Sequence, residues 1–401
     1  MRVTIYAYPW DLARIGVERA LREIVDHGID TVDLAATYHP IDALSPRDGI
    51  ARLFSSPRGA VHFPARPARY SRIRPRTSSS ETCAVWPEVA EHAPALGLTV
   101  NAWTVALYQP WIIDAYPDCA RVLPSGDPVG SAVCAANEDV REYLATLCAD
   151  VVDQFGADTL RLEGIMPAAY DYGWLRPRVL VDLSPLARAL LVLCFCASCT
   201  RRATVAGLDG ERLRRLVQST IAAELDDARA SPAAAERAAR LDADAELQAF
   251  VVQHERASIE LARVATSRFD PSSGPRLSLS SWTPYSLLLG TEQQGLLAEL
   301  FDLGDQVVVY AEWSEGRKRR FAEIVSRAAR AVQLAILLAP RGERVLPANP
   351  TAAKTGTPLA RELSDAATLG VDEVNLYNYG LLRPHDIRGF MAAVSRTRPL
   401  G

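Results

Sequence analysis

Three runs follow one another at the start of the chain: Val3-Thr4-Ile5-Tyr6-Ala7-Tyr8, an amphipathic segment from Val17 to Val25 with Gly28 as its stop, and Thr31-Val32-Asp33-Leu34-Ala35. The outer two are short and β-branched, and the middle one carries apolar residues at helical spacing, so together they read as strand, helix, strand. Six more strand-like runs follow at Leu98 to Thr104, Asp158 to Glu163, Arg276 to Ser280, Gln306 to Tyr310, Leu334 to Leu338 and Glu373 to Tyr377. Helical patterns such as Val140 to Val152 and Arg319 to Ala331 separate them. Alternation of this kind predicts a parallel sheet covered by helices, and eight repeats favour closure into a (β/α)8 TIM barrel over an open doubly wound sheet.

Two insertions interrupt the spacing. Residues 36 to 87 are rich in Pro, Arg and Ser, with His62-Phe63 reading as a small extra strand. The segment 165–274 forms a long helical insertion after the fourth strand; its Ala/Glu/Arg-rich part, Leu208 to Arg268, reads as two or three helices broken near Ser231-Pro232. Such insertions wall the pocket above the strand C-termini, and the Ala-rich stretch has a second reading as a packing arm in a homo-oligomer. The whole chain, 1–401, is expected to be one barrel domain.

Composition agrees with a globular chain. Of 401 residues, 49% are apolar and 23% charged, which excludes disordered and disulfide-scaffold classes. A net charge of -4 supplies no positive field for nucleic acid or an anionic membrane surface. The N-terminus lacks the apolar run and cleavage site of a signal peptide, and the apolar stretch Ala187 to Cys196 is too short to span a bilayer, so a soluble cytoplasmic protein is expected. No glycine-rich phosphate loop is present.

In a barrel, functional side chains sit at strand C-termini. That rule selects Tyr6 and Tyr8, Tyr38 and His39, Asn101 and Trp103, Arg161 and Glu163, Ser281 and Trp282, Tyr310 and Glu312, and Asn375, Tyr377 and Asn378. Aromatic rings stack on the apolar faces of pyranoses, while amides, Arg and carboxylates bind hydroxyls, so the set describes a sugar pocket. Tyr8, Asn101, Trp103, Arg161, Trp282, Tyr310 and Asn375 are its expected substrate contacts. Some of these aromatics are equally expected in the interior core. Two glutamates each close an apolar strand: Glu163 in Thr159-Leu160-Arg161-Leu162-Glu163-Gly164, and Glu312 in Val308-Val309-Tyr310-Ala311-Glu312-Trp313. Glycoside hydrolysis needs one carboxylic acid to protonate the leaving oxygen and a second carboxylate as nucleophile or base. Glu312 also has a solvated ion-pair reading beside Arg317 to Arg320; Asp171 and Asp114 are reserve carboxylates.

Seven cysteines include Cys194-x-Cys196-x-x-Cys199. Three thiolates at this spacing close around one tetrahedral zinc ion when a fourth ligand arrives, and Cys134, in a polar loop before a helix, is the candidate; Cys148 falls on an apolar helical face and reads as core. Four thiolates leave no open position for water, which predicts a structural metal.

The motif Cys194-Phe195-Cys196-Ala197-Ser198-Cys199, with Cys134 upstream in Cys-Ala-Ala-Asn-Glu-Asp-Val-Arg-Glu-Tyr, resembles the family 42 β-galactosidases and related hypothetical barrel glycosidases. The resemblance spans about residues 130 to 200. It implies a zinc-stapled TIM barrel and assigns Glu163 as acid/base. Two positions depart from that pattern: Leu162 stands where those enzymes have asparagine, and Glu312 follows the sixth strand rather than the seventh. A glycoside hydrolase is therefore the leading expectation. A non-catalytic sugar-binding or scaffolding barrel is the alternative, as is a lyase or isomerase using Glu163 as base with Tyr310 or His39.

Overall fold

The computed structural model describes residues 2–47, 52–166, 183–226, 232–270, 274–280, 294–310, 315–326, 329, 331–341, 344–346 and 357–397. Eight parallel strands form the barrel: β1 (Arg2–Ala7), β2 (Thr31–Tyr38), β3 (Thr99–Val105), β4 (Thr159–Glu163), β5 (Arg276–Ser280), β6 (Gln306–Tyr310), β7 (Gln333–Arg341) and β8 (Glu373–Leu376). Each pairs with its neighbour in sequence, and β8 pairs with β1 to close the ring.

The helix Val17–Asp26 buries Val17, Ala20, Leu21 and Ile24, a single face at i, i+3, i+4 and i+7. It ends at His27, and Gly28 takes the left-handed turn at φ 77° that a side chain would resist. The helix Glu138–Phe155 starts at Asn137, whose side chain accepts from the Val140 amide.

Strand alternation divides the barrel wall. Outward positions such as Val3, Ile5, Val32, Leu34, Leu160, Leu162, Leu277, Leu279, Val307, Val309, Ile336, Val374 and Leu376 pack into one apolar layer under the helices. Inward positions are mostly polar, and matched register stacks them in layers: Tyr6 beside Asp33, Asp33 beside Asn101, Arg161 beside Ser278, Ser278 beside Gln306. At the lower rim, Asp158, Asp305 and Asp372 each precede a strand and accept the first free amide of a neighbour, from Val100, Leu277 and Leu334 respectively. These acids satisfy backbone donors that closure leaves unpaired.

The extra strand expected at His62-Phe63 falls two residues earlier, at Ala60–Val61, and pairs antiparallel with β2 outside the ring. Glu163 therefore ends the fourth barrel strand. A hairpin of Ile41–Ser45 and Arg52–Ser56 also follows β2. Between β4 and β5 the described helices include Ala197–Val205, Gly210–Asp226, Pro232–Ala243 and Ala245–Thr266. Among the described residues, no helix is long and apolar enough to cross a membrane.

Candidate active site and thiolate cluster

Glu163 is the last residue of β4, partly buried on the barrel's inner face, where its Oε2 accepts from Trp103 Nε1 at 2.6 Å. Depth among the aromatic rings pushes its carboxyl up to about 7, against the pull of the Trp103 hydrogen bond and the Arg161 charge. A carboxyl poised there can deliver or take a proton near neutrality. Its surroundings are aromatic. Tyr6, Tyr8, Trp10, Tyr38, Trp103, Tyr108 and Tyr310 are buried in one cluster, with Tyr377 partly buried against it. Trp103 meets Tyr6 edge-on at 4.7 Å between ring centres and lies 5.5 Å from Tyr8 in a stacked pose. The Tyr310 hydroxyl bonds Ser280 Oγ at 2.9 Å.

The sequence-selected residues separate into two levels. Tyr8, Trp103, Glu163 and Tyr310 belong to the upper level. Asn101 and Arg161 do not, because each lies two residues before the strand-end group and so one layer lower; both line a cavity of about 220 Å³ at the opposite, N-terminal end. Arg161 is fully buried there, bonding Asp33 at 2.5 Å, Ser278 at 2.7 Å, Gln306 at 2.9 Å and Glu373 at 3.2 Å. Asn101 donates to Asp33 at 2.7 Å. Burial lifts the Asp33 carboxyl to about 6 despite Arg161. Arg161 thus spends its hydrogen bonds below the floor, and Glu163 keeps its elevated range. Asn375 is buried between these levels, with both amide atoms unpartnered among the described residues.

Trp282, Glu312, Ser281 and Asp171 lie outside the described residues. Asp114 sits on the surface in an ion pair with Arg58. His39 bonds the Pro40 carbonyl, and burial pulls its imidazole down to about 4, so it is neutral at physiological pH.

Cys134, Cys194, Cys196 and Cys199 are buried, unpaired as disulfides, and their sulfurs lie within 4.8 Å of one another. Cys134 Sγ is 3.5 Å from Cys199 Sγ and 3.9 Å from Cys194 Sγ. Sulfurs about 3.8 Å apart are what a tetrahedral ion with bonds of about 2.3 Å requires. The surroundings suit thiolates, since Val122 and Ala136 amides each point at a sulfur, on Cys194 and Cys134, at 3.4 Å. The four residues can therefore hold one metal ion. Cys148 is buried on the core face of its helix, as its spacing predicts.

The fold is a closed (β/α)8 barrel, and it is shared with solved structures of glycoside hydrolases. Among solved structures, an α-L-fucosidase isoenzyme from Paenibacillus thiaminolyticus superposes with TM-score 0.57 at 11% identity, covering 99% of this chain and 49% of its own. A β-galactosidase from the psychrophilic Marinomonas ef1 gives 0.55 at 12% identity, with 98% and 59% covered. A family 42 β-galactosidase from G. stearothermophilus gives 0.52 at 12%, with 98% and 55% covered. The chain thus spans about half to three-fifths of each. No sequence-family model and no curated protein matches it.

The hydroxyl cluster of Tyr8, Tyr38 and Tyr377 was only partly visible in sequence. The oxygens lie 3.0 Å (Tyr8 to Tyr38), 2.5 Å (Tyr8 to Tyr377) and 3.0 Å (Tyr38 to Tyr377) apart. Each tyrosine ends a different strand, and only ring closure brings β8 beside β1.

Proposed function

We propose that the protein is a glycoside hydrolase acting on a small glycoside or oligosaccharide, with Glu163 as the proton donor and Glu312 as the second carboxylate. The observation that carries this reading is Glu163 itself: a strand-end carboxyl facing an aromatic barrel mouth and raised to about 7. In this reading Trp103 orients the acid, Tyr310 and Trp282 line the sugar site, and Tyr8 backs it from the buried side. Arg161, Asn101 and Asn375 hold the floor beneath it. The chain acts as one domain, 1–401, whose segment 165–274 walls the pocket, and the four cysteines hold a structural zinc. When bound, zinc supplies a closed cross-link between the loop before the helix Glu138–Phe155 and the start of the helix Ala197–Val205, with no open position for a reacting water.

The mechanism asks Glu163 to protonate the departing oxygen, which its uncharged form can do below about pH 7. Glu163→Gln keeps the shape and removes the proton. It should cost about 10²–10⁴-fold on an alkyl glycoside with a poor leaving group, and far less on a 4-nitrophenyl glycoside whose departure needs little protonation. Full activity of the variant on the alkyl glycoside would remove Glu163 from the mechanism. A second reading, a sugar-binding barrel without turnover, is favoured by Leu162 before Glu163 and by β7, which carries no carboxylate. It predicts sugar binding without hydrolysis by the wild-type protein.

A further inference from the structure

Glu163 and Tyr377 each keep part of their surface open, whereas Tyr6, Tyr8, Tyr38, Trp103 and Tyr310 around them are buried. Tyr377 is therefore the open member of the hydroxyl triangle.

Proton counting decides what that member can do. Three phenols carry three protons. The geometry has the Tyr8 hydroxyl donating to the Tyr38 oxygen at 3.0 Å. Its single proton is then committed, so across the 2.5 Å contact Tyr377 must donate and Tyr8 accept. Tyr38 in turn donates to the Tyr377 oxygen at 3.0 Å. Of the three donated bonds, only the one from Tyr377 to Tyr8 belongs to a side chain with open surface. Redirecting that proton outward converts the ring into a chain running from Tyr8 through Tyr38 and Tyr377 to an incoming oxygen. Successive donation polarises each hydroxyl and strengthens the last bond.

We propose that Tyr377 is a substrate-binding residue that exchanges its hydrogen bond with Tyr8 for one to a hydroxyl of an uncharged pyranoside, with Tyr8 and Tyr38 as its positioning residues. This rests on the glycosidase reading of the same mouth and specifies the class of sugar. Trp103 ties the two open groups together, bonding Glu163 at 2.6 Å and meeting the Tyr377 ring edge-on at 6.2 Å between centres. Burial holds all three phenols above their ordinary range, so they remain neutral donors at physiological pH. Arg161, the cation nearest the floor, is already engaged with Asp33 and Glu373. The described residues around Glu163 and Tyr377 thus present rings, phenol hydroxyls and one carboxyl to a ligand, a lining that suits a neutral sugar better than an anionic one.

The test pairs a deletion on the protein with a deletion on the sugar. Wild type, Tyr377→Phe, Tyr8→Phe and Glu163→Gln are assayed on 4-nitrophenyl hexopyranosides, their monodeoxy forms and the matching uronides, with methyl glycosides of the same sugars titrated calorimetrically. Tyr377→Phe should lower kcat/KM, or binding, about tenfold on the parent sugar. On the one deoxy sugar lacking the contacted hydroxyl, that loss should vanish. Tyr8→Phe removes the competing acceptor and should preserve the discrimination, which a purely structural role for the cluster would not. Equal loss on every deoxy sugar, or preference for a uronide, overturns the proposal. So does failure of all the neutral sugars both to react and to bind. A flat Tyr377 cycle beside a large Glu163→Gln loss would sink this proposal alone. The reverse pattern would sink the acid assignment alone.

Discussion

Glu163→Gln should stabilise the fold at alkaline pH, and the size of the effect follows from the site. Burial raises the carboxyl from its ordinary 4.5 to about 7, so between those values the native protein holds a proton that the unfolded chain has released. Stability of the wild type then falls as pH rises through this window and levels off above it. A shift of about 2.5 units at about 1.4 kcal/mol each is roughly 3.5 kcal/mol, and the carboxylate's solvent-facing edge screens this to about 2 kcal/mol. Glutamine has nearly the same shape, can accept the Trp103 hydrogen bond through its amide oxygen, and has no charge to desolvate. Chemical denaturation of both proteins near pH 4.5 and near pH 8 isolates the contribution, because Asp33 and Asp11, whose carboxyls burial lifts to about 6, titrate in both proteins and cancel in the difference. The expected result is near-equal stability at the lower pH and a variant about 2 kcal/mol more stable at the higher. An equal gap at both values, or none at pH 8, would refute the account of Glu163 as a carboxyl held neutral by its surroundings.

Three further outcomes are expected. Metal analysis should find one zinc per wild-type chain, and Cys199→Ser should lose it together with thermal stability; a metal-free wild type purified without chelator counts against the site. Arg161→Met leaves the Asp33 carboxylate buried without its cation and Glu373 with only the half-exposed Arg2 at 3.6 Å, and should cost about 3–5 kcal/mol in denaturation, whereas a loss under about 1 kcal/mol would show the cluster to be dispensable. Gly380→Ala should be destabilising by about 1–3 kcal/mol, since the new Cβ would stand 1.7 Å from Asp11 Oδ2 and Asp11 is itself only 1% exposed; unchanged thermal stability would mean that this corner adjusts freely.

The barrel was legible because its outward face is written in apolar residues at every second position, as in Val3, Ile5 and Ala7 or Leu160 and Leu162. That face must meet the helices whatever the ring encloses. The polar residues between them carried a second message, that the inner face is hydrated or functional rather than filled by branched aliphatics. What they did not carry was height. Asn101 and Trp103 have equal claim to a strand end in a linear reading, and so do Arg161 and Glu163. The stagger of eight strands decides which of each pair reaches the mouth, and stagger is a property of closure rather than of any one strand. The cysteine cluster shows the opposite case. Cys194, Cys196 and Cys199 share one turn, so spacing alone brought them together, and only Cys134 needed the fold. The hydroxyl triangle lies at the far end of this scale, because Tyr8 and Tyr377 are 369 residues apart. Each alone reads as an ordinary strand-end aromatic. The three hydroxyls meet only after β8 has closed against β1, which is why neither tyrosine, read in the linear sequence, announces the cluster it joins.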